Sequence, residues 1–315
     1  MKRQFVSSLQ EGDVVHDYFV ATRKDLRDMQ SGGKFLGLVF KDKTGEIGGV
    51  MWNNAVSVAN LFELGDVVTV RGTVNNYQNR LQVRVDQVLP LRSEEYDPAD
   101  LVDVPENTEE VAAKFCEVMD TIKDQHLHTL IQMFIHDAAF MERFNRASAG
   151  KKWHHSHRGG LVQHCYEMTR IAETMCELYD NLDRDLLMAG IFVHDIGKID
   201  EMTHDLFVDY TTAGRLVGHL QLGFDRVSKK IDEIEGFPES TKLQLYHLIL
   251  SHHGEYQFGS PVLPKTVEAI VLYLIDNLDA QANAYSRVVE ETLTKGQAWS
   301  EFISMIDRQI WTKRD

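Results

Sequence analysis

Residues 190–198 read Gly-Ile-Phe-Val-His-Asp-Ile-Gly-Lys and place a histidine and an aspartate side by side after an apolar run. Asp195 lies between Val193 and Ile196, so we expect its carboxylate to be partly buried, and a buried charge needs a partner or a metal ion. Adjacent residues of a helix point about 100° apart, so His194 and Asp195 can serve different sides of one site. This stretch therefore predicts a polar centre inside a helical domain.

Further residues that can bind a metal ion lie at apolar, helix-like runs on both sides of this stretch. A lone histidine near an apolar face is usually a packed or surface residue, but five histidines and two aspartates so placed fit a shared metal centre better. Seven such groups are too many for one tetrahedral zinc ion and suit two ions that share a carboxylate, with Asp195 as the natural bridge. The predicted ligands are His164, His194, Asp195, His219, His252, His253 and Asp276, with Asp279 as the alternative to Asp276.

The predicted cofactor is a pair of divalent metal ions. No cysteine belongs to the ligand set, which favours borderline or harder ions over a structural thiolate zinc site. Mn²⁺ is the preferred ion, with Fe²⁺, Co²⁺ and Mg²⁺ as alternatives.

In the first third of the chain, apolar residues are spaced as in β-strands and not as in helices. Five short runs are rich in β-branched residues and partly alternate, and a helical stretch, Ala55–Phe62, separates the third from the fourth. This is the element order of an OB-fold, a small Greek-key barrel. After residue 106 the apolar spacing becomes helical. We therefore predict a multidomain protein, a five-stranded OB-fold β-barrel followed by an all-α domain. The runs are Val14–Thr22, Phe35–Phe40, Glu46–Trp52, Val67–Tyr77 and Leu81–Val88, and later helices are expected at about 160–179, 184–198, 218–234, 240–252 and 265–284.

Charge divides the 315 residues in the same way. Residues 1–92 carry a net charge of +2, residues 93–110 carry −8, and residues 111–315 carry −9, which together give −15. A chain this acidic should bind duplex DNA poorly, yet local basic patches could still hold a single strand. We predict a nucleic-acid-binding barrel at 1–92, an acidic linker at 93–110 and a helical region at 111–315 with its catalytic core at about 150–285.

The sequence also predicts a cytoplasmic protein without a membrane partner. The N-terminus lacks an apolar signal core, and the longest apolar stretch, Ala269–Ile275, is far too short to span a bilayer. Three cysteines without metal spacing indicate free thiols in a reducing compartment.

The ligand pattern resembles a known superfamily. His164, His194-Asp195 and Asp276 match the H…HD…D signature of the HD phosphohydrolases, and the added His219 and His252-His253 resemble their two-metal branch. With an OB-fold in front, and with Trp-His-His-Ser-His-Arg-Gly-Gly-Leu-Val-Gln-His at 153–164, nearly the whole chain resembles the YhaM-type 3′–5′ exoribonucleases. One departure is Ala147-Ser148-Ala149, which stands where that family has a proline-containing stretch.

The resemblance implies a hydrolase, a metal-dependent exoribonuclease that works from the 3′ end of single-stranded RNA and releases nucleoside 5′-monophosphates. It implies attack by a metal-bridged hydroxide on phosphorus, with single-stranded DNA as a further substrate and a homo-oligomeric assembly. Asp195 and Lys198 would be the catalytic residues. Lys198 lies one helical turn beyond His194 and would neutralise a phosphoryl oxygen or assist the leaving oxygen; the alternative is an ordinary lysine at a helix end.

Two further sets of residues are predicted to contact the substrate. A basic run just before His164 would meet phosphates at the metal centre, although it could also be an ordinary charged loop. Cations and aromatics of the barrel would hold the strand, as in other single-strand platforms, while Phe40 is assigned to the barrel core. The predicted contacts are Arg143, Lys151, Lys152, His154, His155 and Arg158 in the basic run, and Lys34, Trp52, Arg71 and Tyr77 in the barrel.

Two other function classes stay open at this point. The chain could be an HD phosphohydrolase acting on nucleotides or cyclic dinucleotides, with the barrel as a regulatory element. It could also be a non-catalytic OB-fold nucleic-acid-binding protein in which the metal only holds the helices together. A complete seven-ligand set argues against the second of these, and the barrel with its basic loop favours the nuclease over the first.

Overall fold

The computed structural model describes residues 2–29, 32–102, 105, 107–151, 153–204 and 206–312. They form two compact units: one holds the described residues up to 102 together with 206 and 207, and the other holds those from Pro105 to His204 and from Val208 onward. Lys152, a predicted substrate contact, lies outside the described residues. Within these ranges no helix combines the length and the apolarity that crossing a bilayer requires.

The first unit contains a closed barrel with strand order β1-β2-β3-β5-β4. The neighbouring strands are antiparallel, except for β3 and β5, which are parallel. The predicted five strands, with a helix between the third and the fourth, are confirmed. The elements are β1 (Val14–Asp28), β2 (Lys34–Asp42), β3 (Gly45–Met51), α1 (Ala55–Ala59), β4 (Val67–Tyr77) and β5 (Arg80–Pro90), with 3₁₀ turns at Val6–Ser8, Ser93–Glu95 and Pro98–Asp100.

Alternation along β2 separates the barrel core from its surface. Leu36, Leu38 and Phe40 are buried, which confirms the core assignment of Phe40, while Phe35 and Gly37 point the other way. Strand β1 is six residues longer than predicted, because its charged second half pairs with β2 from Arg23 to Asp28. Cross-strand pairing, not apolar alternation, keeps that half extended.

The second unit is helical. Several of its helices begin at residues whose side chains accept hydrogen bonds from the first turn, as Asp124, Asp137 and Asp183 do. The helices are α2 (Thr108–Met119), α3 (Gln125–Ile135), α4 (Ala138–Arg146), α5 (Gly160–Leu178), α6 (Arg184–Val193), α7 (Lys198–Glu201), α8 (Thr212–Leu216), α9 (His219–Asp232), α10 (Glu239–Ser251) and α11 (Val267–Thr294), with a 3₁₀ turn at Tyr256–Phe258.

Two helices differ from their predicted bounds. The helix expected at 184–198 is two helices, because a turn at residues 194–197 separates α6 from α7. The helix expected at 265–284 continues for ten more residues, to Thr294.

Stacked phenylalanines join three helices of this unit. The ring of Phe192 in α6 lies 5.7 Å from that of Phe115 in α2 and 5.4 Å from that of Phe144 in α4, with interplanar angles of 6° and 10°. All three side chains are fully buried. This stack fixes the C-terminal end of α6, from which His194 and Asp195 follow.

Phe192→Ala should lower the free energy of unfolding of the helical unit by about 3–5 kcal/mol, because it removes a large buried ring and leaves a cavity. Urea unfolding followed by the helical circular dichroism signal measures this change. The matched control is Phe302→Ala, whose ring is 61% exposed and which should change stability by less than about 0.5 kcal/mol. Equal losses in the two variants would contradict this account of the core.

Candidate metal centre

The carboxylate of Asp195 lies at the middle of a cluster of histidines and is 1% exposed. Its Oδ1 atom is 3.6 Å from Nε2 of His219 and 3.5 Å from Nε2 of His252. Its Oδ2 atom is 3.3 Å from Nε2 of His194 and 4.0 Å from Nε2 of His164. Each oxygen therefore faces a different pair of imidazoles, an arrangement that suits a carboxylate shared by two cations.

All seven predicted ligands belong to groups of side chains close enough to hold a metal ion. Four such groups overlap: His219, His252 and His253; His194, Asp195 and His252; His164, His194 and Asp276; and His155, His164 and Asp279.

Asp276 and Asp279 of α11 lie on opposite sides of His164. Asp276 Oδ1 is 3.3 Å from Nε2 of His164, the ring atom that faces the other ligands. Asp279 Oδ2 instead accepts a hydrogen bond from Nδ1 of His164 at 2.6 Å. The geometry therefore favours Asp276 as the ligand and Asp279 as the residue that orients His164.

Backbone carbonyls orient three of the ligand histidines. Nδ1 of His194 donates to the carbonyl of Ile191, Nδ1 of His252 to Ile249, and Nδ1 of His253 to Phe258, at 2.8–2.9 Å. A carbonyl oxygen can only accept, so Nδ1 carries a proton in each of these rings and Nε2 is the atom that faces the other ligands.

Glu201 orients His219 in the same way. Its Oε1 atom accepts from Nδ1 and from the backbone N–H of His219, at 2.9 and 3.0 Å. Nε2 of His219 then lies 3.2 Å from Nε2 of His253. A cation between two such nitrogens would satisfy both lone pairs.

Unpartnered buried atoms test whether these residues fit a metal. Among the described residues, Nε2 of His164, His194 and His252 and Oδ1 of Asp195 are buried and make no hydrogen bond. A buried polar atom left in this state costs about 1–3 kcal/mol. Four such atoms within overlapping groups of ligands fit a site for imidazole- and carboxylate-binding divalent ions.

Electrostatics keep Asp195 ionised. Burial alone would raise the pKa of its carboxyl, but Lys198 and His194 outweigh burial and hold that pKa well below its usual range. Lys198 Nζ donates to Asp195 Oδ2 at 2.5 Å. Burial opposes the charge of Lys198 too, yet Asp195 and Asp276 raise the pKa of the lysine. The centre thus holds an ionised carboxylate and a protonated amine side by side.

Gly197 allows the turn between α6 and α7 to meet the start of α9. A Cβ atom at this position would lie 2.0 Å from the carbonyl oxygen of His219 and 2.6 Å from the backbone nitrogen of Gly223. Only glycine permits that approach, which brings His219 to Asp195. The glycine of the His-Asp-Ile-Gly-Lys stretch is therefore part of how the centre is built.

The basic run before α5 divides into anchors and candidate contacts. His155 is 1% exposed and donates to Asp279 through Nε2 at 2.9 Å, so it fastens the loop to the centre. Arg143 is held by Asp200 and by the carbonyl of Ile199.

Other members of the run differ in their exposure. Lys151 pairs with Asp209 at 2.6 Å and is partly exposed, and Arg158 is partly exposed too. Both ring nitrogens of His154 are buried and have no hydrogen-bond partner within the described ranges. Burial and the charge of Lys198 lower the pKa of His154 to about 3, so this ring is neutral.

The four predicted barrel contacts occupy different places. Trp52 is 50% exposed and packs on Phe35 at 5.0 Å, beside a shallow groove of about 220 Å³ whose lining includes Gly37 and Gly48. Lys34 at the start of β2 pairs with Asp28, and Tyr77 is 62% exposed at the β4–β5 hairpin.

Arg71 lies elsewhere on the barrel. It lines a separate groove of about 730 Å³, formed by the N-terminal part of β1, β4, β5 and the region of α1. The register of β4 and β5 shifts between Arg71 and Gly72.

Comparison with known proteins supports both halves of this architecture. Residues 161–281 match the HD domain family, and residues 20–91 match the OB-fold nucleic acid binding domain family. The 3′-5′ exoribonuclease YhaM of Bacillus subtilis (strain 168) is 33% identical over 284 residues, which cover 87% of this chain and 87% of that protein. The chain belongs to this exoribonuclease family. The predicted OB-fold, HD domain and family are thus confirmed.

Solved structures give a weaker likeness. The second OB-fold domain of replication protein A from Methanococcus maripaludis is 25% identical, with a TM-score of 0.24, and covers 30% of this chain and 97% of that chain. The SSB domain of a Synechococcus sp. protein is 17% identical, with a TM-score of 0.23, and covers 26% and 97%.

Sequence reasoning missed Glu201 altogether and left Asp279 only as an alternative ligand. The available signal for Glu201 was a carboxylate between apolar Ile199 and Met202, one turn after Lys198. This is the same signal that identified Asp195. The carboxylates of Asp279 and Glu201 each accept a hydrogen bond from Nδ1 of a proposed ligand histidine, His164 and His219 respectively.

Glu201→Gln should weaken binding of one of two Mn²⁺ ions about 10–100-fold, because a neutral amide no longer raises the basicity of His219. Isothermal titration calorimetry of the metal-free protein measures both affinities. Glu235→Gln, at an exposed position between α9 and α10, is the control and should bind like the wild type. Unchanged affinities in Glu201→Gln would show that this carboxylate does not support a ligand.

Proposed function

We propose that the chain is a metal-dependent exonuclease that removes nucleoside 5′-monophosphates from the 3′ end of single-stranded RNA. The observation that carries the proposal is the Asp195 carboxylate, whose two oxygens each face two histidine nitrogens. A relative that covers most of this chain bears the name 3′-5′ exoribonuclease, which supports the direction and the substrate.

The proposed ligands divide into two sets around Asp195. His164, His194 and Asp276 would hold one ion with it, and His219, His252 and His253 the other. Bound there, divalent ions, for which we propose Mn²⁺, supply an activated nucleophile near neutral pH and stabilise charge on the phosphoryl oxygens.

The chain's own side chains would position the phosphate. Lys198 is protonated and lies against Asp195, where it can donate to a nonbridging oxygen or to the leaving oxygen. His154 brings two unpartnered ring nitrogens, one of which can donate to the same phosphate. Lys151 and Arg158 would meet the next phosphates of the strand, whereas His155 and Arg143 mainly shape the loop.

The barrel would hold the rest of the strand. OB-folds bind oligonucleotides on the face of strands 2 and 3 and on the loops that follow strands 1 and 4. Phe35 and Trp52 lie on that face, Lys34 follows the first of these loops, and Tyr77 begins the second. Arg71, in its separate groove, would contact the strand only if the strand passes around the barrel.

Several finer predictions from the sequence belong to the same proposal. They are strand binding by residues 1–92, chemistry within residues 111–315, an acidic linker at 93–110 that repels the strand, activity on single-stranded DNA, homo-oligomer formation and a cytoplasmic location.

Purified protein with Mn²⁺ should shorten 5′-end-labelled single-stranded RNA one nucleotide at a time and release 5′-monophosphates. Asp195→Ala should lose at least about a hundredfold in rate, because the shared carboxylate is gone. Asp225→Ala, at an exposed aspartate of α9 that pairs with Lys229, is the control and should retain full activity. Internal cleavage, or hydrolysis of cyclic dinucleotides with RNA untouched, would contradict the proposal.

Removing the aromatic pair of the barrel should weaken action on long strands. Trp52→Ala with Phe35→Ala should raise KM for a 30-nucleotide RNA about tenfold to a thousandfold, since each stacked base contributes ~1–3 kcal/mol, while kcat changes little. A very short oligonucleotide should be degraded as by the wild type.

The control for this pair is Leu89→Ala, in the other groove of the barrel, where the side chain is 47% exposed. If Leu89→Ala raises KM and the double aromatic variant does not, the strand binds the other groove.

A further inference from the structure

The proposed metal centre opens to solvent at three of its ligands. The side chains of His164, His194, His252 and Asp195 are 0–2% exposed, whereas those of His219 and Asp276 are 13% and 17% exposed, and His253 is partly exposed too. Among the ligands that the structure describes, these three are the ones that a scissile phosphate can reach most directly. Residues that flank His219, His253 and Asp276 are therefore the ones that the end of the strand meets.

The segment from Gly254 to Gly259 lies at this opening. It follows His253 directly and reads Gly-Glu-Tyr-Gln-Phe-Gly, with its two glycines at φ of 76° and 91°. The carbonyl of Phe258 accepts from Nδ1 of His253 at 2.8 Å, and the backbone nitrogen of Glu255 donates to the carbonyl of His253 at 2.9 Å. This segment, the rim loop, is thus fastened to a proposed ligand.

The rim loop exposes two aromatic rings. Tyr256 is 67% exposed and Phe258 is 59% exposed, and both belong to one 3₁₀ turn. Within the described part of the chain, neither ring stacks on another aromatic ring or lies under a cation. A single exposed apolar side chain is ordinary, but two open rings in one turn beside a metal opening form a surface that a flat apolar group can cover.

We propose that Tyr256 and Phe258 form a stacking platform for the nucleobases next to the scissile phosphate. This inference rests on the proposed function and names how the same site holds its substrate. Stacking uses only the face of a base, so it accepts all four bases. An enzyme that removes successive nucleotides needs such tolerance at its end-binding site. A second copy of the chain would also cover the rings, and the test separates that case.

The test uses full-length protein, Mn²⁺ and a five-nucleotide RNA. Tyr256→Ala and Phe258→Ala should each raise KM about 5–150-fold, as ~1–3 kcal/mol of stacking predicts, with kcat within about twofold of the wild type. Tyr256→Phe and Phe258→Tyr should restore KM because they keep a ring. Tyr179→Ala, at the end of α5 and 51% exposed, is the matched control and should change neither constant.

A measurement of RNA binding without catalysis tests this inference separately from the proposed function. In EDTA, fluorescence anisotropy should show weaker binding of a labelled five-nucleotide RNA to both alanine variants, and weaker binding of an RNA with abasic 3′-terminal nucleotides to the wild type. Failure of the wild type to degrade RNA would overturn the proposed function. The binding measurement would still show whether the two rings hold nucleobases.

Three results would contradict the proposal that Tyr256 and Phe258 stack on nucleobases. The first is wild-type affinity of both alanine variants for the five-nucleotide RNA. The second is weakened Mn²⁺ binding with RNA affinity unchanged, which would show that the rim loop serves only to hold His253. The third is a change of oligomeric state in Phe258→Ala, measured by light scattering, which would place the rings in a subunit contact.

Discussion

A buried, ionised carboxylate is the constraint on which the helical unit depends. An isolated charge at the position of Asp195 would be prohibitively costly, so the chain must surround it with cations or with groups that recruit them. Helices α5, α9 and α11 carry such groups, and the turns that follow α6 and α10 carry the others. The packing follows from this convergence: α6 is fixed by the phenylalanine stack, and the turn after it meets α9 only because residue 197 is glycine.

Hydrogen bonds within the protein orient the histidines around Asp195. Each of the five uses its Nδ1 atom on a carbonyl or carboxylate outside the cluster and presents Nε2 inward. Burial and the neighbouring histidines lower the pKa of His253 to about 3, which keeps that ring neutral and its lone pair available. His164 is the exception: Asp276 and Asp279 overcome burial and raise its pKa to about 9, so a cation at its Nε2 atom must displace a proton.

Much of this arrangement could be predicted because the signals are local. A polar pair inside an apolar run marks a buried site, and a change of apolar period marks the passage from barrel to helices. The choice between Asp276 and Asp279 could not be predicted, because residues three apart on α11 share a face and only the position of His164 tells them apart. For Glu201 a local signal existed, but its role could not be predicted, because the histidine that it orients, His219, lies 18 residues away on another helix.

In the barrel, too, the sequence alone could not predict where some exposed residues lie. Trp52 and Arg71 are both exposed residues of strands or strand ends, and composition alone made them equivalent candidates. Barrel closure brings Arg71 into a groove with residues of β1 and β5, whereas Trp52 packs on Phe35 of β2. Likewise, Phe35 and Phe40 differ only in their parity along β2, which sends one ring to the surface and the other to the core. Pairing between distant strands determines which of these side chains face the surface, and no short stretch of sequence predicts that pairing.

The most direct measurement is X-ray diffraction from Mn²⁺-soaked crystals, recorded on both sides of the manganese absorption edge. The account predicts two anomalous peaks about 3.5–4 Å apart, with the two oxygens of Asp195 between them and the Nε2 atoms of His164, His194, His219, His252 and His253 around them. A single peak, or two peaks that do not share Asp195, would contradict it.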